Sequence, residues 1–523
     1  MALISSTNLL TLHGVSKWET AYLRTGPSKR YNDNYKSRRP VIPALELFNG
    51  LSKHDPGPET LPTTSECAVH LEMLEVFHAL RHEVIQSKEL DVAFGIAPNI
   101  RTVYRKTWRN REYVVVPQNI KDEGFEARRN AKWGYFLSIA AARFHDWIEI
   151  VDKRLNDAES GFPLPVPELL LLPPLDVLVI WHAFLLNCDD FKDYCNTRNL
   201  NHIQAIVFPW ADIHAAINSN TWKYTLPAEH RTWLHTAEIH PNLVEALATS
   251  GKAKGPVLDL LSSFPDDQQS IKPNHTNSNP VLELLSSFSD YLQITRPKTT
   301  DSKSVQDLLS SFPDYLQAIK PKSTDSSSSS TPFLNTIKKA HLAQEQNKAL
   351  VDNVKRQCVF VDKMHAHRWI RSPAVQGTLR RAVDRYDKFL HLFRLYPHQF
   401  LVPTLDVDLA WHTHQCSAEN YRTFVTGRVG WFINHEDKIG RGTLDGGFTS
   451  AEELYRLRFG ERYQVCLCWS CEAILSAVEG LEDEDEIEPP VAELAGRIEK
   501  EIHFYREVES ARRLGRVIPG WHH

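Results

Sequence analysis

Apolar residues recur at spacings of three and four through most of the chain, which is the period of a helix face rather than of a strand. Between Cys67 and Ile85, the residues Val69, Met73, Val76, Phe77, Leu80 and Val84 trace one such face. Trp133 to Val151, Lys338 to Asp362 and Val375 to Leu395 repeat the pattern. Val177 to Leu186 is almost wholly apolar, so that helix is expected to be buried on nearly all sides. A glycine-rich turn region (Gly427, Gly430, Gly440, Gly442, Gly446 and Gly447) leads to a helix from Ser450 to Phe459. Val491 to Leu514 reads as a charged amphipathic helix behind an acidic loop, Glu482 to Glu488. Few strand-like alternations occur between 60 and 250.

One pattern is written twice. Pro174-Leu-Asp-Val-Leu-Val-Ile-Trp-His-Ala-Phe184 returns 230 positions later as Thr404-Leu-Asp-Val-Asp-Leu-Ala-Trp-His-Thr-His414. An aromatic pair precedes each copy, Phe144 and Trp147 in the first, Tyr386 and Phe389 in the second. Each Leu-Asp-Val follows a proline-bearing loop, where an aspartate suits an N-cap because its carboxylate can accept from free amides of the first turn. The copies act as controls for each other. Shared positions report the fold; Asp408 and His414, polar only in the second copy, are candidates for function. Asp408 lies four residues before His412 and so on the same helical face, whereas His414 points elsewhere. His182 has no carboxylate one turn away, which marks a core histidine.

A second repeat, with a period of 24, occupies the middle of the chain. Pro256-Val-Leu-Asp-Leu-Leu-Ser-Ser-Phe-Pro recurs from Pro280 and from Ser304, separated by Ser/Thr-rich spacers that end in Ser326 to Ser330. Val305, Leu308, Leu309, Phe312, Tyr315 and Leu316 form one helical stripe that Pro313 interrupts. These units suit either a duplicated linker or tandem motifs that fold into a partner's groove. The expected organisation is an extended or poorly ordered arm over 1–62, a first helical lobe over 63–250, a repeat linker over 251–332, and a second helical lobe over 333–523. The fold class is therefore mainly α: two helical lobes related by partial internal duplication and joined by a low-complexity linker.

Composition narrows the classes. The 523 residues are 42% hydrophobic and 24% charged with a net charge of −5, ordinary for a globular protein and without a global pull toward nucleic acid. No run of 18 apolar residues suggests a membrane span. Met1 to Leu12 lacks the basic and apolar regions of a secretory signal. The expected compartment is cytosol or nucleus, with the eight cysteines largely reduced.

Chemistry-bearing residues concentrate in the second lobe. Cys466-Leu-Cys468-Trp-Ser-Cys471 offers three thiolates at a spacing that suits zinc, leaving one tetrahedral position for a histidine. His414 is the first choice, with His412 and His435 as alternatives; the competing reading packs the cysteines around Trp469. Asp408, His412 and His414 form the candidate polar site. His435-Glu-Asp437 with His503 and Arg506 outlines an iron-type triad, at odds with the helical pattern around it. His365 and His367 read as a solvated helix face, and Arg101, Tyr104, Arg105, Lys106, Trp108, Arg109 and Arg111 as a solvated edge or a nucleic-acid patch. Neither a nucleophile elbow nor a phosphate-cradling loop is present, so no catalytic residue is assigned.

Thr404 to Gln415, with Tyr421, Asn434 to Lys438 and Cys466 to Glu472, resembles the glycine-rich domain-containing protein-like family, and its fungal members most closely. The resemblance is strong in the second lobe and weaker in the first, where Leu178 and Phe184 replace polar residues. It implies a mostly helical protein without an established reaction. Plant relatives are associated with stress responses and development, some carry RNA-binding segments, and some fungal relatives carry dioxygenase labels. The glycine-rich tail of plant members is absent, and the 24-residue repeat is peculiar to this chain. The leading expectation is a non-enzymatic helical scaffold or regulator, stabilised by zinc in the second lobe, with a protein partner for the repeats at 256–327. A metal-dependent enzyme of specialised metabolism and a nucleic-acid-binding regulator are the alternatives.

Overall fold

The computed structural model describes residues 43–254 and 336–518, apart from 53–56, 58–59, 100, 110–111, 160–169, 338, 341, 398, 436–438 and 483–490. The repeats at 256–327, most of the expected arm and the acidic loop lie outside the described residues. The chain is mainly helical. In the first lobe the helices are α1 (Thr64–Gln86), α2 (Lys88–Ala93), α3 (Phe125–Glu159), α4 (Leu175–Leu185), α5 (Cys188–Arg198), α6 (Asn201–Ala205), α7 (Trp210–Ala216), α8 (Ala228–Thr236) and α9 (Leu243–Lys254). The second lobe holds α10 (Gln344–His367), α11 (Val375–Leu395), α12 (Leu405–Gln415), α13 (Ala418–Val429), α14 (Arg441–Phe459), α15 (Trp469–Glu482) and α16 (Val491–Arg513).

Helix α1 is the axis of the molecule. It starts at a capping box, in which the Thr63 side chain accepts from the Glu66 amide and Glu66 Oε2 accepts from the Thr63 amide. From Cys67 to Phe77 every residue is buried, so the amphipathic reading of this helix undercounts its neighbours. Helices α3 and α7 of the first lobe, and α10, α11 and α12 of the second, all pack on it. One continuous hydrophobic core runs through both lobes, and a satellite of Trp469, Ile498 and Ile502 joins α15 to α16. The polar groups of α1 are matched across this core: Glu72 accepts from His214 at 2.6 Å and Glu75 from His365 at 2.8 Å. His365, expected on a solvated face, also stacks on His78 with ring centroids 3.5 Å apart.

Residues 43–52, expected within an extended arm, dock on α1: Leu47 is buried and its carbonyl accepts from Ser65. The basic and aromatic segment forms an antiparallel hairpin, β1 (Arg101–Arg109) with β2 (Glu112–Ile120), in register from Arg101 opposite Ile120 to Arg109 opposite Glu112. The run Val114 to Val116 explains the strand, since β-branched residues suit a pleated ribbon. Tyr104, Trp108 and Tyr113 stand exposed on it. Helix α14 begins nine residues earlier than Ser450 and absorbs part of the expected glycine turn. Gly447 lies inside it because a Cβ there would come 2.5 Å from the Phe400 ring. Gly430 ends α13 at φ 98°, a conformation glycine adopts without steric cost.

The duplication is built into the core. In each copy an arginine one residue before the aromatic pair reaches the aspartate of Leu-Asp-Val. Arg143 Nε donates to Asp176 Oδ2 at 2.6 Å, and Arg385 Nε to Asp406 Oδ2 at 2.7 Å. Each guanidinium also donates to a downstream carbonyl, His240 O in the first lobe and Tyr463 O in the second. The expected N-caps are thereby corrected. The capping positions are Pro174 and Thr404, neither makes a side-chain cap bond, and the aspartates serve as arginine partners. An arginine beside them outcompetes the amides because its fork offers two charge-assisted donors.

Asp176→Leu leaves Arg143 charged and buried, so it should lower stability by about 3–5 kcal/mol. Adding Arg143→Met should recover most of that loss, because the uncompensated charge goes with it. Urea denaturation of the single and double variants checks this; equal losses would show that packing, and not the charge, dominates.

Candidate functional site

Helices α4 and α12 place the two Trp-His pairs in equivalent surroundings, and the differences between them define the site. In the first lobe His182 is buried, with no carboxylate on its face; its Nε2 lies 2.9 Å from His70 Nε2. His70 Nδ1 lies 2.9 Å from Thr413 Oγ1, and that hydroxyl donates to Leu409 O at 2.8 Å. Because the hydroxyl proton is committed to Leu409, Thr413 must accept from His70 Nδ1–H. His70 then has a free lone pair on Nε2, which accepts from His182. The tautomers follow, and a hydrogen-bond chain crosses from the first lobe into the second. Burial holds His70 well below the usual histidine range and lowers His182 to about 3, so both rings are neutral.

In the second lobe the equivalent histidine has different company. Leu178 is replaced by Asp408, and Asp408 Oδ1 lies 3.3 Å from His412 Nε2, one helical turn away. His435 arrives from the loop after α13, with its Nε2 3.1 Å from His412 Nε2 and 3.7 Å from Asp408 Oδ1. All three residues are buried. The loop is held in place by Tyr421, whose hydroxyl accepts from Trp411 Nε1 at 2.8 Å and donates to Ile433 O at 2.7 Å. In the first lobe Phe191 occupies the equivalent position and has no hydroxyl. Phe360 packs on the His412 ring and Trp411 on the His435 ring. Burial lowers His412 to about 3 despite the facing carboxylate. Burial also opposes the charge of Asp408, but the facing imidazoles offset it and hold its carboxyl well below the usual range.

His414, expected beside the cysteines, points instead into an aromatic cage. Its ring meets Tyr421 and Phe424 edge-on, at centroid distances of 5.3 and 5.0 Å, and its Nδ1 lies 3.1 Å from the Tyr386 hydroxyl. Phe184 sits in the same cage in the first lobe, against Phe144, Phe191 and Tyr194. Phe144 and Phe184 are thus exchanged together for Tyr386 and His414, an apolar pair for a hydrogen-bonded one. His414 therefore joins neither of the two convergent groups found among the described residues.

The second convergent group is Cys466, Cys468 and Cys471, whose sulfurs lie within 4.8 Å of one another on half-buried side chains. The preceding turn is pinned where Trp369 Nε1 donates to Leu467 O, and Trp469 Nε1 donates back to His367 O, each at 2.9 Å. Burial and the neighbouring sulfurs push the Cys471 thiol up to about 12. His503, a member of the expected iron-type triad, lies on α16 beside Glu507, while Asp437 is outside the described residues.

His414→Phe alone should cost about 1–3 kcal/mol by stranding the Tyr386 hydroxyl, and Tyr386→Phe with His414→Phe should be close to neutral. The pair also changes acid stability. His182 and His414 are lowered by burial to about 3 in the fold but protonate near 6.5 when unfolded. Below that pH the unfolded chain binds more protons, so their contribution is complete above pH 6.5 and is lost as pH falls toward 3. The loss is about 1.4 kcal/mol per pH unit for each ring. Denaturation between pH 7 and 5 should show the double variant losing stability less steeply than the parent; equal slopes would contradict a neutral buried His414.

The glycine-rich domain-containing protein-like family matches residues 291–423, which include α10 to α12 and the first half of α13. Glycine-rich domain-containing protein 1 of Arabidopsis thaliana is 36% identical over 125 residues, covering 22% of this chain and 14% of that protein. Glycine-rich domain-containing protein 2 of the same plant is 37% identical over 93 residues, covering 16% of this chain and 12% of that protein. The chain therefore matches only a small part of the length of these relatives. No solved structure matches it. Over residues 291–423, the segment that supplies Asp408 and His412, the chain matches the glycine-rich domain-containing protein-like family.

Proposed function

We infer that the protein is a non-enzymatic helical scaffold in which two duplicated lobes form one platform and the repeats at 256–327 provide docking motifs for a protein partner. The observation that carries this reading is the use made of the duplicated polar residues. Asp176 and Asp406 are bound by arginines, and His182 is committed to His70 and through it to Thr413. These groups join helices to one another, which is what a platform requires of them. Charged helices cover the outside, and among the described residues no helix is long and apolar enough to cross a membrane.

Zinc at Cys466, Cys468 and Cys471 fits the same role. Three soft ligands at the head of α15 would fasten the α15–α16 pair, whose own core is only the small satellite around Trp469, to the turn at Trp369. The metal would act on stability, as structural zinc does when its ligands come together only in the fold.

Replacing residues 256–327 by a Gly/Ser chain of equal length should leave the thermal transition of the platform unchanged. A strong chelator should lower that transition, and Cys466→Ser with Cys468→Ser and Cys471→Ser should reduce the chelator's effect. A large loss on linker replacement would mean that the repeats pack on the platform. Identical chelator sensitivity in the cysteine variant would remove zinc from the knuckle.

A further inference from the structure

We propose that Asp408, His412 and His435 form a second metal site, separate from the cysteines, which takes a divalent transition ion through two imidazole Nε2 atoms and one carboxylate oxygen. The three donor atoms are 3.1, 3.3 and 3.7 Å apart. Ligands about 2.0–2.1 Å from one ion at tetrahedral angles are separated by about 3.3 Å, so the spacing matches the face of a coordination polyhedron. Two imidazoles and a carboxylate on one face form the donor set that binds zinc or ferrous iron with further positions open.

The first lobe shows what the same helix does without such a demand. There Leu178 stands in the place of Asp408, and His182 and His70 complete a hydrogen-bond chain that ends on a backbone carbonyl. In the second lobe the chain does not close. Asp408 Oδ1 is buried and, among the described residues, has only the two imidazoles beside it and no well-aligned hydrogen bond, although an oxygen so placed needs a donor or a cation. Nδ1 of both His412 and His435 is buried without a partner among the described residues, so none of those residues dictates which nitrogen carries the proton. A cation at the centre supplies the partner that the Asp408 oxygen lacks and fixes both tautomers. It takes both Nε2 lone pairs, leaves each ring as the Nδ1–H tautomer, and balances the carboxylate.

The surroundings hold the donors in place before any ion arrives. Asp408 and His412 are fixed one turn apart on α12, and the bond from Tyr421 to Ile433 O fixes the loop that carries His435. Phe360 and Trp411 wall the two rings and keep water from competing for the ion. The cysteine trio is a different group of residues on a different element, so the two sites differ in ligand chemistry and can be told apart by spectrum.

The test uses the full chain grown with cobalt as the sole added transition metal. Cobalt held by thiolates shows sulfur-to-metal charge transfer, whereas cobalt held by nitrogen and oxygen shows only visible d–d bands. With Cys466, Cys468 and Cys471 all changed to Ser, one equivalent should remain, without the thiolate band. Asp408→Leu in that background, which recreates the first lobe's helix, should reduce it to none while a cooperative melting transition persists. His435→Ala, a change in a loop and not in the core helix, should do the same. If the cysteine-free chain does not fold, the same subtraction is made in the parent, where Asp408→Leu should remove the nitrogen–oxygen component and spare the thiolate band. A folded cysteine-free chain without cobalt, or Asp408→Leu that keeps its full equivalent, would overturn the second site and leave the zinc reading of the cysteines untouched.

Discussion

A histidine sealed inside a protein gives up its charge and is stabilised by partners for its ring nitrogens, and this constraint ties the two lobes together. His182 and His412 sit at the same place in two copies of one helix, both fully enclosed. Water cannot serve either ring, so each copy must supply its partners from elsewhere in the chain. The first copy takes His70 from α1, and through it Thr413 from the other lobe. Helix α1 also carries Glu72 and Glu75, which accept from His214 of the first lobe and His365 of the second, so it is tied to both. That explains why the two lobes share a core despite the long segment between them in sequence.

Duplication followed by divergence accounts for the rest. The shared residues hold structure: Asp176 and Asp406 bind arginines, and Trp181 and Trp411 pack on aromatic neighbours. The residues that differ do so in sets, because a buried polar atom cannot be introduced alone. Tyr386 comes with His414, Tyr421 comes with the bond to Ile433 O, and Asp408 comes with His435. Two of these exchanges complete hydrogen bonds. The third brings two imidazole nitrogens and a carboxylate oxygen within 3.7 Å of one another.

Much of the fold was legible because helical periodicity is local. The helix from Val375 to Leu395 and the burial of Val177 to Leu186 follow directly from spacing. The pairing of Asp408 with His412 was legible for the same reason, as four residues are one turn. His435 was not, because its place depends on a loop closing over 23 residues, and neither was His70, which lies 112 residues from its partner. His414 drew attention as an unexplained polar residue, although the change from Phe144 to Tyr386 in the flanking aromatic pair already pointed to a hydrogen-bonded replacement. The hairpin was hidden by its charge: arginines alternate with aromatics on β1, and only the valine run on β2 carries the signal of a strand.

The central claim is that the lobes are one cooperative unit tied together by the chain from His182 through His70 to Thr413. Differential scanning calorimetry of the full chain tests it most directly. A single transition whose calorimetric and van't Hoff enthalpies agree is expected, and Thr413→Val should lower its midpoint without splitting it. Two separable transitions in the parent protein, with Thr413→Val affecting neither, would contradict the account.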